Sequence, residues 1–178
     1  MPELTEIRWH ARAGQGAKSA SQILALALLR SGNSVQSFPE YGPERRGAPL
    51  RAYTRFGAQP IRRHDSVEEP DLVVVLDATL LDEETVSEGV RAATTVLVNG
   101  DDEQRSVRDV KVHSVPTARF ATTTGAGFAN VAMLGAVAAA LGEPPLEALQ
   151  DAIVEVLGKK SPPDALRAAA AEGFAWQS

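Results

Sequence analysis

Asp71-Leu72-Val73-Val74-Val75-Leu76 is an unbroken apolar run behind one acid, and its reading decides the fold. It is too short for a buried helix and rich in β-branched residues. It reads as a strand covered on both faces, the mark of a central position in a parallel sheet. Towards the amino terminus, Leu50 to Phe56 and Val35 to Phe38 read as strands, and Ala17 to Arg30 carries Ile23, Leu24, Ala27 and Leu28 at helical spacing. Ser31-Gly32-Asn33 ends that helix as a carboxyl-terminal cap does. Before it, Leu4, Glu6, Arg8 and His10 alternate with Thr5, Ile7 and Trp9, a strand that enters the glycine turn Ala13-Gly14-Gln15-Gly16.

Towards the carboxyl terminus the pattern predicts a helix over Leu80 to Arg91, a buried strand over Thr94 to Val98 closed by Asn99-Gly100, and a strand over Val110 to Val115 before Pro116. Asn130 to Leu141 reads as a small-residue helix that must pack closely, and Pro145 to Leu157 and Pro163 to Ala171 as helices with proline near their starts. The βα alternation predicts one domain over residues 1–178, a three-layer, Rossmann-like α/β fold with a mostly parallel sheet. Its ligand crevice is expected beyond the carboxyl ends of the strands.

Composition narrows the function. The 178 residues contain no cysteine, so disulfides, thiolate zinc sites, cysteine-ligated iron–sulfur clusters and a cysteine nucleophile are excluded. The amino terminus lacks the basic and apolar regions of a signal peptide, and no apolar run is long enough to cross a bilayer. A cytoplasmic protein with no membrane partner is expected. The net charge of −5 argues against nucleic acid, but six of the 18 basic residues (Arg45, Arg46, Arg51, Arg55, Arg62, Arg63) fall between positions 44 and 64 with a single acid, Glu44. This stretch predicts local docking of an anionic partner.

Three loops are expected on one rim of the sheet. Gly14-Gln15-Gly16 opens a helix, where exposed amides and the helix dipole favour phosphate or carboxylate. A dinucleotide fingerprint would want glycine at Ser19, yet Glu40 stands where such a fold places its ribose-binding acid, which leaves a nicotinamide reading open. Phe38-Pro39-Glu40-Tyr41-Gly42-Pro43-Glu44-Arg45-Arg46-Gly47-Ala48-Pro49 holds paired guanidiniums on a proline-stiffened segment. Such a segment suits a ligand rim or an interface as readily as a solvated surface. Thr122, Thr123 and Thr124 head a turn to Gly127 as phosphate donors or as caps, and Asn130 either caps its helix or faces the rim. Asp77 is a candidate functional acid or a cap for the helix containing Leu80. No histidine has a metal-ligand or triad partner at suitable spacing, so neither catalytic nor metal-binding residues are assigned.

The glycine turn, the Phe38 to Pro49 segment, Asn130-Val131-Ala132-Met133-Leu134-Gly135-Ala136 and the Lys160 to Gly173 tail together resemble the gamma subunit of pyruvate:ferredoxin oxidoreductase over nearly the whole chain. The Pro-Glu-Arg-Arg-Gly-Ala-Pro segment is the specific part of the likeness. Ala11 and Ala13 stand where the family usually has glycine. The resemblance implies a non-redox subunit of a complex with alpha, beta and delta chains that converts pyruvate and coenzyme A to acetyl-CoA and passes electrons to ferredoxin. Thiamine diphosphate, magnesium and the iron–sulfur clusters would belong to the partners. Here Gly14, Gln15, Gly16, Thr122, Thr123, Thr124 and Asn130 would contact coenzyme A, while Arg45 and Arg46 would contact it or a neighbouring chain.

Overall fold

The computed structural model describes residues 4–40, 48–101, 105–124 and 128–176. Arg45 and Arg46 lie outside them. The strands are β1 (Thr5–Arg12), β2 (Ser34–Glu40), β3 (Pro49–Gly57), β4 (Leu72–Val75), β5 (Thr95–Asn99), β6 (Ser106–Val107) and β7 (Val110–Val115). The helices are α1 (Ala17–Arg30), α2 (Glu84–Ser87), α3 (Thr117–Thr124), α4 (Ala129–Leu141), α5 (Leu146–Leu157) and α6 (Pro163–Ala175). One sheet runs β2-β3-β1-β4-β5-β7-β6.

The expected central strand is in place, since every residue of β4 is buried between β1 and β5. Parallel pairing links β1, β4, β5 and β7. The βα alternation is interrupted twice: β5, β6 and β7 follow one another, with β6 antiparallel to β7, and β2 and β3 follow each other directly, with β3 antiparallel to both β2 and β1. That hairpin places β2 on an open edge, where Pro39 is tolerated for want of an N–H.

Alternation along the strands divides the core. Ile7, Trp9 and Ala11 of β1, with Leu72 and Val74 of β4, face the layer of α1, α4, α5 and α6. Within that layer α4 is buried from Val131 to Ala138, and its small residues serve a backbone-to-backbone contact. A Cβ on Gly135 would lie 2.1 Å from the Ala170 carbonyl oxygen, and one on Gly173 would lie 1.8 Å from that of Ala132.

The opposite face is thinner. Val73, Val75, Val96, Val98 and Val112 are covered by Leu80, Leu81, Val86 and Val90. The helix expected over Leu80 to Arg91 is only a 3₁₀ turn, Ala78–Leu80, and the single turn of α2. Two features stop it. Gly89 has φ 64° and sits against the Glu68 carbonyl, and the Val86 and Glu88 carbonyls, which a longer helix would use internally, accept hydrogen bonds from Arg8. Among the described residues no helix is long and apolar enough to cross a membrane.

Candidate functional site

The local geometry begins at the end of β1. Gln15 donates its backbone N–H to the Arg12 carbonyl at 3.1 Å, closing a turn, and Gly14 and Gly16 take φ of 100° and 86°. A left-handed backbone is the conformation glycine adopts without a Cβ penalty. It lets β1 reverse into α1, whose first intrahelical bond is already accepted by the Gly16 carbonyl.

The Gln15 side chain serves the scaffold as well. Its Oε1 accepts from the Arg12 N–H at 2.7 Å, and its Nε2 donates to Asp77 Oδ2 at 2.8 Å. Asp77 caps the 3₁₀ turn, accepting from the Thr79 N–H at 3.0 Å, and pairs with Arg12 at 3.4 Å. The hydrogen bond from the Thr79 hydroxyl leads in holding the Asp77 carboxyl below its ordinary pKa; Gln15, the Thr79 amide and Arg12 add to it, and burial opposes them. This bar of polar contacts ties the tip of β1 to the chain after β4.

A cleft of ≈ 330 Å³ opens beside the bar, lined by Gly14, Gln15, Gly16, Asn99, Ala129 and Asn130, with Leu76 at its floor. Gly16 and Asn130, far apart in sequence, are in contact here. A Cβ on Gly16 would lie 2.7 Å from Asn130 Nδ2. Phe128, not Asn130, occupies the cap position of α4. Since Ala129 and Asn130 begin α4, and Gly16 precedes α1, the amino-terminal turns of two long helices meet at one cleft. Each end carries orphan N–H groups and a partial positive charge, so their junction is chemically fitted to an anion.

Asn99 completes the floor. Its Nδ2 donates to the Leu76 carbonyl at 3.2 Å and its Oδ1 accepts from the Thr117 hydroxyl at 2.5 Å, joining the ends of β4 and β5 to the start of α3. Sequence reasoning took Asn99-Gly100 as a strand-ending turn and missed its place in the cleft.

Other expectations move. Thr122, Thr123 and Thr124 do not head a turn before α4; they form the last residues of α3. A helix end presents carbonyls and the negative pole of the dipole, the opposite of what a phosphate requires. Gly125 to Gly127 lie outside the described residues. Glu40, a candidate ribose acid, is held by Arg51 at 2.7 Å and by the Tyr53 hydroxyl, and it lines a different cavity from the glycine turn. Burial favours the neutral acid, but the hydrogen bonds from Tyr53 and Arg51 and the charges of Arg51 and Arg8 outweigh it, so Glu40 titrates below its ordinary value.

The arginine-rich stretch is also less available than its composition suggests. Arg55 is fully buried against Glu6, Arg51 bridges Glu40 and Glu88, and Arg63 pairs with Asp65. Among the described residues no cluster of three or more His, Asp or Glu side chains is arranged to hold a metal ion.

Relatives agree with this fold. Over 169 residues the chain is 46% identical to the pyruvate synthase subunit PorC of Thermotoga maritima, covering 92% of this chain and 88% of the relative. It is 42% identical to the common gamma subunit of the pyruvate/ketoisovalerate oxidoreductases of Thermococcus kodakarensis, covering 89% of this chain and 91% of the relative. The crystal structure of the Thermotoga maritima pyruvate oxidoreductase subunit PORC (EC 1.2.7.1) superposes with a TM-score of 0.82 at 40% identity, covering 97% of this chain and 96% of that one. The model of the pyruvate ferredoxin/flavodoxin oxidoreductase family matches residues 6–176, and the chain belongs to that family.

Proposed function

We propose that this chain is the gamma subunit of a cytoplasmic pyruvate:ferredoxin oxidoreductase and that the cleft between α1 and α4 receives the phosphates of coenzyme A. The observation that carries the reading is the meeting of two helix amino termini at Gly16 and Asn130. Amides in the first turns of α1 and α4 would face the anion, and the Asn130 amide would add a side-chain donor. The Gln15 N–H is spent on Arg12, so Gln15 acts as part of the frame. Arg45 and Arg46 would neutralise the remaining phosphate charge or contact a neighbouring subunit.

Held by its nucleotide end, coenzyme A would present its thiol to the intermediate formed on thiamine diphosphate in the partner chains. This subunit would contribute positioning without a reacting group. Iron–sulfur clusters, magnesium and the contact with ferredoxin would belong to the alpha, beta and delta subunits. A gamma subunit common to pyruvate and ketoisovalerate oxidoreductases, as the Thermococcus kodakarensis relative is described, supports placing the choice of 2-oxoacid in the other chains.

Calorimetry tests the proposal. Coenzyme A should bind the full chain, more weakly after Asn130→Ala and after the paired Arg45→Ala, Arg46→Ala change. NADH binding that Glu40→Ala abolishes would overturn the reading, and so would coenzyme A affinity indifferent to all three substitutions.

A further inference from the structure

On the thin face of the sheet two arginines are buried, and acids stand within ion-pair distance of only one of them. Arg55, 0% exposed, donates to Glu6 at 2.5 Å and has Asp65 at 3.6 Å. Arg8, 1% exposed, donates to the backbone carbonyls of Val67, Val86 and Glu88 at 3.4, 3.2 and 2.5 Å, and no ion pair to it occurs among the described residues. The Glu88 and Glu40 carboxylates act on Arg8 only from beyond ion-pair distance, and a buried cation with no anion in contact is expensive.

The remaining Arg8 donor, Nε–H, goes to His10 Nε2 at 3.0 Å. Arginine is a donor only, so His10 Nε2 must accept, and the neutral ring carries its proton on Nδ1. Burial, then the charges of Arg8 and Arg51, push the His10 pKa down to about 3, in keeping with a neutral ring. The ring is 3% exposed, and its bond with Arg8 occupies Nε2, which leaves the Nδ1–H as its second polar group.

His10 lines a cavity of ≈ 180 Å³ with Glu40, Arg51, Leu80, Thr85 and Val86 on its walls. This cavity is separate from the α1/α4 cleft; Leu76 lines the cleft and Leu80 the cavity. It falls below the roughly 300 Å³ at which drug-sized ligands are housed. Glu40, the acid on its wall, has both oxygens engaged by Arg51 and Tyr53. Arg51 is ion-paired with Glu40 and Glu88 but keeps N–H donors beyond those two bonds; the other donors on the wall are an imidazole N–H polarised by the guanidinium behind it and the Thr85 hydroxyl.

We propose that this cavity binds a small oxoanion, a carboxylate or phosphate of a few heavy atoms, which accepts the His10 Nδ1 proton in a hydrogen bond and acts through His10 as the counter-charge of Arg8.

The test uses the full chain labelled with ¹⁵N-histidine, which reports on His10, His64 and His113 separately. At neutral pH His10 should show the Nδ1–H tautomer. Sodium acetate or inorganic phosphate, added against a sodium chloride control of equal ionic strength, should shift the His10 ring signals saturably and leave His64 and His113 in place. The response to one anion or the other identifies which oxoanion the cavity takes. Arg51→Gln should weaken the response about ten-fold or more, the loss of one charge-assisted hydrogen bond. Thr85→Trp, entering from a half-exposed position, should abolish it while the unfolding midpoint stays unchanged. A His10 ring protonated on Nε2, no saturable shift with either anion, or a shift that survives Thr85→Trp in a folded protein overturns the proposal.

Discussion

Replacing Gly16 by alanine separates two energies that meet at the α1/α4 cleft. Gly14 and Gly16 both have positive φ, 100° and 86°, and an alanine there costs about 1–2 kcal/mol of backbone strain. At Gly14 a new Cβ meets nothing within 4 Å, so Gly14→Ala measures that strain alone. At Gly16 it would stand 2.7 Å from Asn130 Nδ2, and the amide must swing aside. The contacting atom is the end of a movable side chain, so we place the added cost at about 1 kcal/mol, the low end of overpacking penalties. Gly16→Ala should therefore cost about 2–3 kcal/mol. In the pair Gly16→Ala, Asn130→Ala the clash vanishes and the strain stays, a favourable coupling of about 1 kcal/mol. Urea unfolding of the four variants, with unchanged m values, reads these differences directly. If Gly16→Ala costs no more than Gly14→Ala, or the cycle shows no coupling beyond about 0.3–0.5 kcal/mol, Asn130 does not stand over the glycine turn and the cleft is built otherwise.

Three further outcomes follow from the scaffold. Gly173→Ala drives a Cβ to 1.8 Å from a backbone oxygen of α4, which cannot turn away; thermal unfolding should show a loss of about 3 kcal/mol, the upper part of the overpacking range. Arg55→Met leaves the Glu6 carboxylate without its closest partner, with Arg63 at 3.6 Å. Breaking such a buried pair should cost about 3–5 kcal/mol in denaturant, and a loss under about 1 kcal/mol would show that the pair is immaterial. Asp77 titrates lower in the folded chain than its ordinary value of 3.8, so its stabilising contribution is complete above that pH and drains away as the pH falls through the folded value. The stability difference between the native chain and Asp77→Asn should accordingly shrink on acidification; a difference that is flat with pH contradicts the hydrogen bonding drawn here.

The sequence was most legible where one physical signal acted alone. Helical spacing and a capping glycine placed α1 at Ala17–Arg30, and an apolar β-branched run placed β4. It was least legible where tertiary contacts overrode local preference. Thr117 to Thr124 is helical although its β-branched threonines are weak helix formers, whereas the sequence pattern places Thr122 to Thr124 in a turn. The polar face of β1 was visible as alternation, but alternation carries no label for burial. Only the partners of Arg8 and Arg55, most of which come from residues 65–88, show that this face is interior. At the site, Gly14, Gly16 and Asn130 were recognisable as turn and helix-start residues. Asn99 was not, because its role depends on Thr117 and Leu76 reaching it through the fold.

The hairpin that sets β3 antiparallel between β2 and β1 has a bearing on ionic strength. Gly16 leads into a helix, so the anion proposed for that cleft would draw on backbone dipoles fixed in partly enclosed surroundings, where dissolved salt screens little. The strands on either side of Arg45 and Arg46 are β2 and β3, and the hold proposed for these two arginines on an anion or a neighbouring chain would draw on side-chain charge. Attraction between exposed charges fades over a Debye length of about 8 Å in physiological salt. Raising the salt should thus loosen whatever Arg45 and Arg46 grip before it empties the cleft, turning one rim into two components that a salt titration can resolve.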